Sequence, residues 1–322
     1  MSLVLVTGAA GFVGRHLMPA LVARGHTVLG ADLDGAGGDR EAAIRRLDIT
    51  EADAVTALVD AVRPEAIIHL AAMSSAGASF GAPRASYVTN GEGAMHVLEA
   101  VRHRAPSCRL LMVSSAEVYG PCAAGQRHDE SAALHPVSPY GVSKALADRM
   151  TEQYGRAYGL DEVRVRPFSH TGPGQAPTFV WPAFARQVAA IEAGRAAPVL
   201  RVGRLDVERD YSDVRDVVAC YCEILERSGR GQAWNVCAGR GERLETLLQG
   251  LLRLARVDIT VETDPARLRP VDLPRLVGDP GRVERELGWR PSITMEETLA
   301  DLLEEARARE STAGRDRSRG GS

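Results

Sequence analysis

Three glycines, Gly8, Gly11 and Gly14, stand between an apolar run, Leu3–Thr7, and a stretch over 12–24 with apolar residues at helical spacing. Glycine at such a junction lets the chain turn tightly out of a strand and lets the next helix lie close against it. A strand–turn–helix beginning of this kind restricts the chain to folds of parallel strands joined by helices. The alternation continues. Residues 27–31 read as a strand and, after 46–48, residues 51–62 as a helix, 66–70 as a strand and 84–103 as a helix. Residues 109–114, 138–158 and 162–166 follow as strand, helix and strand. Near-continuous apolar character at 66–70 and 110–113 suits strands buried on both faces. The fold class is therefore α/β: a Rossmann-type doubly wound parallel sheet with a smaller C-terminal α/β domain.

The glycine spacing, G-x-x-G-x-x-G, brings backbone N–H groups and the positive end of a helix dipole to one point, where a pyrophosphate would be held. Asp32 closes the next strand near the spacing of about 20 residues at which an acidic residue meets an adenosine ribose. A carboxylate there accepts from the 2′- and 3′-hydroxyls and repels a 2′-phosphate. No Arg follows it immediately, whereas Asp34 does. The expected cofactor is NAD(H), with NADP(H) as the alternative. The competing reading of Asp32 is a loop cap.

Ser138-Pro139-Tyr140-Gly141-Val142-Ser143-Lys144 opens a helix, with Ser138 as N-cap and Pro139 in the first turn. Tyr140 and Lys144 are four apart and share a face. An ammonium beside a phenol lowers the phenol's pKa, which would make Tyr140 a proton donor or acceptor for a carbonyl/alcohol pair. Ser115, at the end of the 109–114 strand, can give a second hydrogen bond to the same oxygen. Y-x-x-x-K alone is common on helix surfaces; its company here gives it weight.

Pro and Gly crowd 167–182, so a boundary is placed near 167. Residues 1–166 are expected to bind the dinucleotide and 167–310 the substrate, with 205–235 packing back on the first domain. Residues 213–227 read as a helix capped by Ser212, 294–309 as the last helix, and 311–322 as a disordered tail. With 39 Lys+Arg against 42 Asp+Glu, the charge balance argues against a nucleic-acid partner. No apolar run reaches the roughly 18–20 residues of a membrane span. The first residues lack a basic n-region, so no signal peptide is expected and a cytoplasmic location is. The five cysteines form no metal-ligand spacing and read as small buried hydrophobes; no metal is expected.

From Leu3 to about Pro291 the chain resembles the extended short-chain dehydrogenase/reductase family of nucleotide-sugar enzymes. The glycine loop, Asp48-Ile49, His69-Leu70-Ala71-Ala72, Asn90, Ser115 and the Tyr140/Lys144 pair carry the likeness. So do Arg166-Pro167-Phe168-Ser169-His170-Thr171-Gly172-Pro173-Gly174-Gln175, residues 198–205, residues 209–216 and Asp264-Pro265-Ala266-Arg267-Leu268-Arg269-Pro270-Val271-Asp272. These resemble the branch of GDP-4-keto-6-deoxy-mannose reductase and GDP-mannose 4,6-dehydratase, the last one leaning toward the reductase. The resemblance implies that Gly8, Gly11, Phe12, Val13, Gly14 and Asp32 hold the cofactor. Asp48 and Ile49 would lie at the adenine, Leu70, Ala71 and Ala72 at the pyrophosphate, with Asn90, Tyr140, Lys144, Pro167 and His170 completing that site. Substrate contacts would come from Ser74, Ser115, Glu117, Ser169, Phe179, Val180, Val199, Arg201 and Arg204, with Arg209 and Arg269 gripping the diphosphate. A guanidinium fork suits phosphate oxygens. Ser169 and Arg204 each replace an Asn of that branch, both on the substrate side. A homodimer through 84–103 and 138–158 is also implied.

Within that family a 4,6-dehydratase needs an acid/base pair beside the catalytic Ser or Thr. This chain has Ser115-Ala116-Glu117, and Ala116 can neither give nor accept a proton. The expectation is a 4-ketoreductase of an NDP-4-keto-6-deoxyhexose, with Ser115, Tyr140 and Lys144 catalytic. Glu117 is either a base or a retained substrate contact. An NAD-dependent 4,6-dehydratase or 4-epimerase is the alternative, and a non-catalytic dinucleotide sensor a third.

Overall fold

The structure is a computed structural model that describes residues 2–34, 44–268 and 271–319, the last eight of these by backbone alone. Chain order begins β1 Leu3–Thr7, α1 Phe12–Ala23, β2 Thr27–Asp32, β3 Ile44–Arg46, α2 Ala52–Val62 and β4 Ala66–His69. Two short helices follow, α3 Ala76–Ser79 and α4 Pro83–Ser86, then α5 Gly93–Arg104, β5 Arg109–Val113, α6 Pro139–Tyr158 and β6 Glu162–Pro167. The seven-stranded sheet has the order β11-β6-β5-β4-β1-β2-β3, where β11 is Gln232–Val236, and every pairing in it is parallel.

Alternate side chains of the central strands enter opposite cores, which is the period-2 geometry of a strand. Val4, Val6, Ile68, Leu111 and Val165 join a cluster with Leu17 and Leu21 of α1 and Val217 and Tyr221 of a later helix. Leu5, Ile67, Leu110 and Met112 join the other, with Val55 of α2, Leu98 of α5 and Ala147 of α6. Each such burial contributes roughly 1.5–3 kcal/mol, so the sheet is fixed from both faces.

The second half comprises β7 Ser169–Thr171, α7 Val180–Glu192, β8 Val199–Val202, β9 Glu208–Arg209, β10 Tyr211–Asp213 and α8 Val214–Arg227 before β11. After it come β12 Glu242–Arg243, α9 Leu244–Arg253, β13 Thr260–Thr263, β14 Arg275–Leu276, α10 Gly281–Leu287 and α11 Met295–Arg319. A separate core joins Trp181, Phe184, Leu200, Leu247, Leu251, Leu299 and Leu303. α8 packs on α1, and β11 extends the main sheet beside β6, so the chain re-enters the first layer before leaving it again.

Three expectations are corrected. Residues 84–103 are not one helix: a π-helical stretch, Tyr87–Glu92, separates α4 from α5. The wide turn delivers the Asn90 amide to neighbouring segments, the kind of local role such bulges serve. The cap of α8 is Asp213, whose Oδ1 accepts from Arg215 N at 2.8 Å, and not Ser212. β3, Ile44–Arg46, precedes α2, and Asp48 lies in the loop between them. The last helix runs to Arg319 in place of a disordered tail over 311–319, and the rest of that tail lies outside the described residues. All five cysteines are buried. No helix among the described residues is long and apolar enough to cross a membrane.

Candidate active site

The carboxyl ends of β1, β2, β4, β5 and β6 open into a cleft of about 720 Å3, where open α/β sheets bind ligands. Gly8 has φ +73°, and a Cβ there would stand 2.6 Å from Ala71 N. The first turn therefore lies directly against the loop after β4, and only glycine permits it. Ala10 N donates to Asp32 Oδ2 at 2.9 Å and Leu33 N to Asp32 Oδ1 at 2.8 Å. Asp32 thus closes the glycine loop as well as facing the cleft. Each carboxylate oxygen keeps further lone-pair capacity for a ligand hydroxyl. Gly8, Gly11, Phe12, Val13, Gly14, Asp32, Asp48, Ile49, Leu70, Ala71 and Ala72 all line the cleft. Asp48 Oδ1 accepts from Thr50 N at 2.9 Å and Thr50 Oγ1 at 2.7 Å, and those hydrogen bonds hold its carboxyl below the usual range. A bare backbone cradle beside acidic groups fits a dinucleotide.

Asn90 is not in the cleft wall. Buried behind it, its Oδ1 accepts from Met73 N at 2.8 Å, while Nδ2 donates to Ser143 Oγ at 2.9 Å. It ties the loop after β4 to α6.

At the other end of the cleft, Ser138 caps α6: its Oγ accepts from Gly141 N at 3.0 Å and donates to Glu117 Oε2 at 3.0 Å. Tyr140 follows in the first turn, with its phenol hydrogen-bonded to Ser115. Lys144 is buried, and its Nζ donates to Val113 O at 2.8 Å. The expectation for the phenol is overturned in direction. Burial pushes Tyr140 up to about 12; the Ser115 hydrogen bond works against that rise and the Glu117 charge adds to it. Burial lowers Lys144 to about 8. Buried His69, with Nδ1 2.7 Å from Thr7 Oγ1, is pushed down to about 3 by burial and then by the Lys144 charge. It is a neutral ring under the site.

One turn beyond Lys144, Asp148 takes a bidentate grip on Arg166 of β6, at 2.8 and 2.9 Å. Arg166 Nη1 also donates to Tyr119 OH at 2.9 Å, and Tyr119 OH donates to Asn235 Oδ1 at 2.8 Å. Nothing in the sequence reading found this network, although Asp148 continues the 140/144 spacing.

Ser115, Glu117, Ser74, Ser169, Phe179, Val180, Pro167, His170 and Arg209 also line the cleft. The His170 ring stacks on Phe12 at 6.3 Å, and its Nδ1 lies 3.0 Å from Phe168 O. Arg209 donates to Asp272 Oδ1 at 2.7 Å. Val199, Arg201 and Arg204 do not join the cleft wall: Arg201 faces Glu262 at 3.9 Å and Arg204 pairs with Asp206 at 2.6 Å, both at the surface. Arg269 lies outside the described residues. Gln175, Trp181, Tyr211 and Tyr221 line the cleft without having been singled out. Gln175 ends the Arg166–Gln175 motif and Tyr211 lies within the 209–216 motif.

A family-wide profile for GDP-mannose 4,6 dehydratase matches residues 5–302. The chain belongs to that family. GDP-6-deoxy-D-mannose reductase of Pseudomonas aeruginosa is 35% identical over 308 residues, covering 95% of this chain and 98% of the relative. The structure of RMD from Pseudomonas aeruginosa complexed with NADPH superposes with a TM-score of 0.82 at 32% identity, over 96% of this chain and 100% of that one. UDP-glucose 4-epimerase of Thermus thermophilus in complex with NAD gives a TM-score of 0.86 at 30% identity, over 95% and 99%. Membership makes the chain an enzyme of the nucleotide-sugar short-chain dehydrogenase/reductase type, and its parallel sheet is the fold of these relatives.

Proposed function

We propose that the chain is a 4-ketoreductase of an NDP-4-keto-6-deoxyhexose, with GDP-4-keto-6-deoxy-mannose the preferred substrate. Ser115-Ala116-Glu117 carries the proposal. Ala116 is 2% exposed, and its methyl sits in a small core with Val118, Tyr119 and Phe168 while bordering the cleft. A methyl there cannot assist loss of a C6 hydroxyl, so the dehydratase reaction lacks its acid. The reductase relative supports the same choice.

The 1–166 region, joined by α8 and β11, is proposed to hold NAD(H), favoured by Asp32 and Asp34, with NADP(H) as the alternative that the NADPH-bound relative keeps open. When bound, the reduced dinucleotide supplies hydride to C4. Tyr140, held neutral to about 12, gives its proton to the C4 oxygen as the C=O pair moves onto it. Ser115 donates to that same oxygen, concentrating hydrogen bonds where charge develops. Lys144 places a buried ammonium behind the tyrosine. Glu117, tied to Ser138, is proposed to fix the α6 entry and touch a substrate hydroxyl. Residues 167–310 would hold the sugar nucleotide, Arg209 gripping its diphosphate. A homodimer through 84–103 and 138–158 belongs to the proposal: Tyr87, Met95, Val142 and Leu146 stay exposed there, whereas Val97, Leu98 and Val101 are core. A cytoplasmic location accords with a nucleotide-linked substrate.

The test mixes purified protein with NADH or NADPH and a panel of 4-keto-6-deoxy sugar nucleotides. Stoichiometric oxidation of the dinucleotide is expected, and Tyr140→Phe should lower turnover by about 10²–10⁴-fold with dinucleotide affinity held. Conversion of GDP-mannose or UDP-glucose with no reductant consumed would overturn the reductase reading in favour of a dehydratase or epimerase.

A further inference from the structure

Tyr221 sits in the middle of α8 and is fully buried, in the core cluster that contains Val113, Val165 and Val217. It also lines the cleft. Its hydroxyl is buried with no hydrogen-bond partner among the described residues. Leaving a buried hydroxyl unpaired costs stability that a phenylalanine in the same place would not. The other fully buried tyrosine is satisfied, Tyr119 OH having both Arg166 and Asn235, whereas the buried Ser86 and Ser212 hydroxyls are unpaired like that of Tyr221. One other orphaned buried group, the Trp181 indole N–H, also borders the cleft, but it belongs to the core of the second lobe with Phe184 and Tyr211.

Position decides what the Tyr221 hydroxyl could meet. The glycine loop and Asp32 mark one end of the cleft and Ser115, Tyr140 and Lys144 the other. α8 packs against β6, the neighbour of the strand that leads into Ser115, and against β7, which puts Tyr221 at the same, reacting end as Tyr140. They approach it from opposite layers, because α6 covers one face of the sheet and α8 the other. A nicotinamide lying between them is a flat apolar ring with one polar substituent, its amide. A nicotinamide bound there would present that amide at the ring's edge, and the buried, unpaired Tyr221 hydroxyl lining this end of the cleft would be a partner for it.

We propose that the Tyr221 hydroxyl is a cofactor-binding group that donates to the nicotinamide amide and so sets the ring's orientation. The proposal rests on the reading of the cleft as a dinucleotide site.

The experiment is calorimetric titration of the full chain with NADH and, separately, with ADP-ribose, which shares the adenosine and pyrophosphate but lacks the nicotinamide. Tyr221→Phe should weaken NADH by about tenfold, the loss of one good buried hydrogen bond, and leave ADP-ribose unchanged. The ligand-free thermal midpoint should stay level or rise. The NAD+ analogue with pyridine in place of nicotinamide should bind the wild type about tenfold more weakly than NAD+ does, and should bind the variant as NAD+ binds it. That analogue arm on the wild type tests the idea even if the variant fails to fold. Equal NADH affinity in the variant, an equal loss for ADP-ribose, or wild-type indifference to the amide would each overturn it. A wild type that binds NADH tightly while Tyr221→Phe is unaffected refutes this inference alone. A wild type that takes neither NADH, NADPH nor ADP-ribose refutes the functional reading beneath it.

Discussion

Replacing Asp148 by leucine tests how the catalytic helix is held. Asp148 is fully buried and lies on the same face of α6 as Tyr140 and Lys144, while the Arg166 side chain is 3% exposed. At 2.8 Å and an effective dielectric of about 20, the attraction is worth about 6 kcal/mol before desolvation. Taking both ions out of water costs several kcal/mol for each, so the pair contributes little net stability over well-packed apolar residues. Its halves behave differently. Asp148→Leu strands a buried guanidinium that keeps only Tyr119 OH and the Glu130 carbonyl. Stranding it should cost about 3–5 kcal/mol. That is a large fraction of the about 5–15 kcal/mol total stability of a native protein. Arg166→Met is milder, because Asp148 keeps Arg164 at 3.5 Å and a Ser114 hydrogen bond. The double variant should recover most of the loss, so the coupling in a double-mutant cycle should be at least about 3–5 kcal/mol. Urea unfolding at neutral pH reads it directly. The paired arginine holds the Asp148 carboxyl below the usual range, so its contribution is present at neutral pH and fades as pH falls through that depressed value. Strictly additive single and double variants would refute the claim that this contact is an ion pair with a stranded-charge penalty.

Two other outcomes follow from local geometry and charge. Gly8→Ala puts a Cβ 2.6 Å from Ala71 N at φ +73°, so it should lower the thermal midpoint and weaken NADH at least tenfold; unchanged affinity by titration would show that the loop is looser than drawn. Buried Glu162 is pushed up to about 7 by burial, above its unfolded value, so the folded state keeps a proton that the unfolded chain releases. Its stabilisation is present at low pH and lost as pH rises through about 7. Glu162→Gln should therefore narrow the gap between urea midpoints at pH about 5 and about 8, an effect that an equal gap in variant and wild type would rule out.

The parts of the fold visible in the sequence are those that tertiary context only confirms. Ala66–His69 is buried at all four positions, and such a run has no other comfortable environment. The break at Tyr87–Glu92 had no such mark. It is set by where the Asn90 amide must reach, across to Met73 and Ser143, and those contacts are distant in sequence. The last helix ended too early on paper because its apolar stripe stops at Ala306, the final residue of its contact with the second core. What continues beyond is polar, and a periodicity argument sees nothing to bury.

The site divides the same way. Spacing put Tyr140 and Lys144 on one face, and it said nothing of where the ammonium's hydrogens go or how dry the phenol is. Both are tertiary facts, and they reverse the direction of the expected pKa shift. Arginines are harder still, since a guanidinium in a motif has the same letters whether it faces a ligand or a neighbour. Arg204 is satisfied by exposed Asp206, the kind of pair worth about 0–1 kcal/mol, and stays outside the cleft. Arg209 is 9% exposed, reaches the cleft wall, and is already held by Asp272. A diphosphate arriving there gains no bare cation. It has to replace or share one carboxylate, so the proposed grip is an exchange of anions in a nearly dry setting. The gain comes from a group with more charge and more oxygens than the one it displaces.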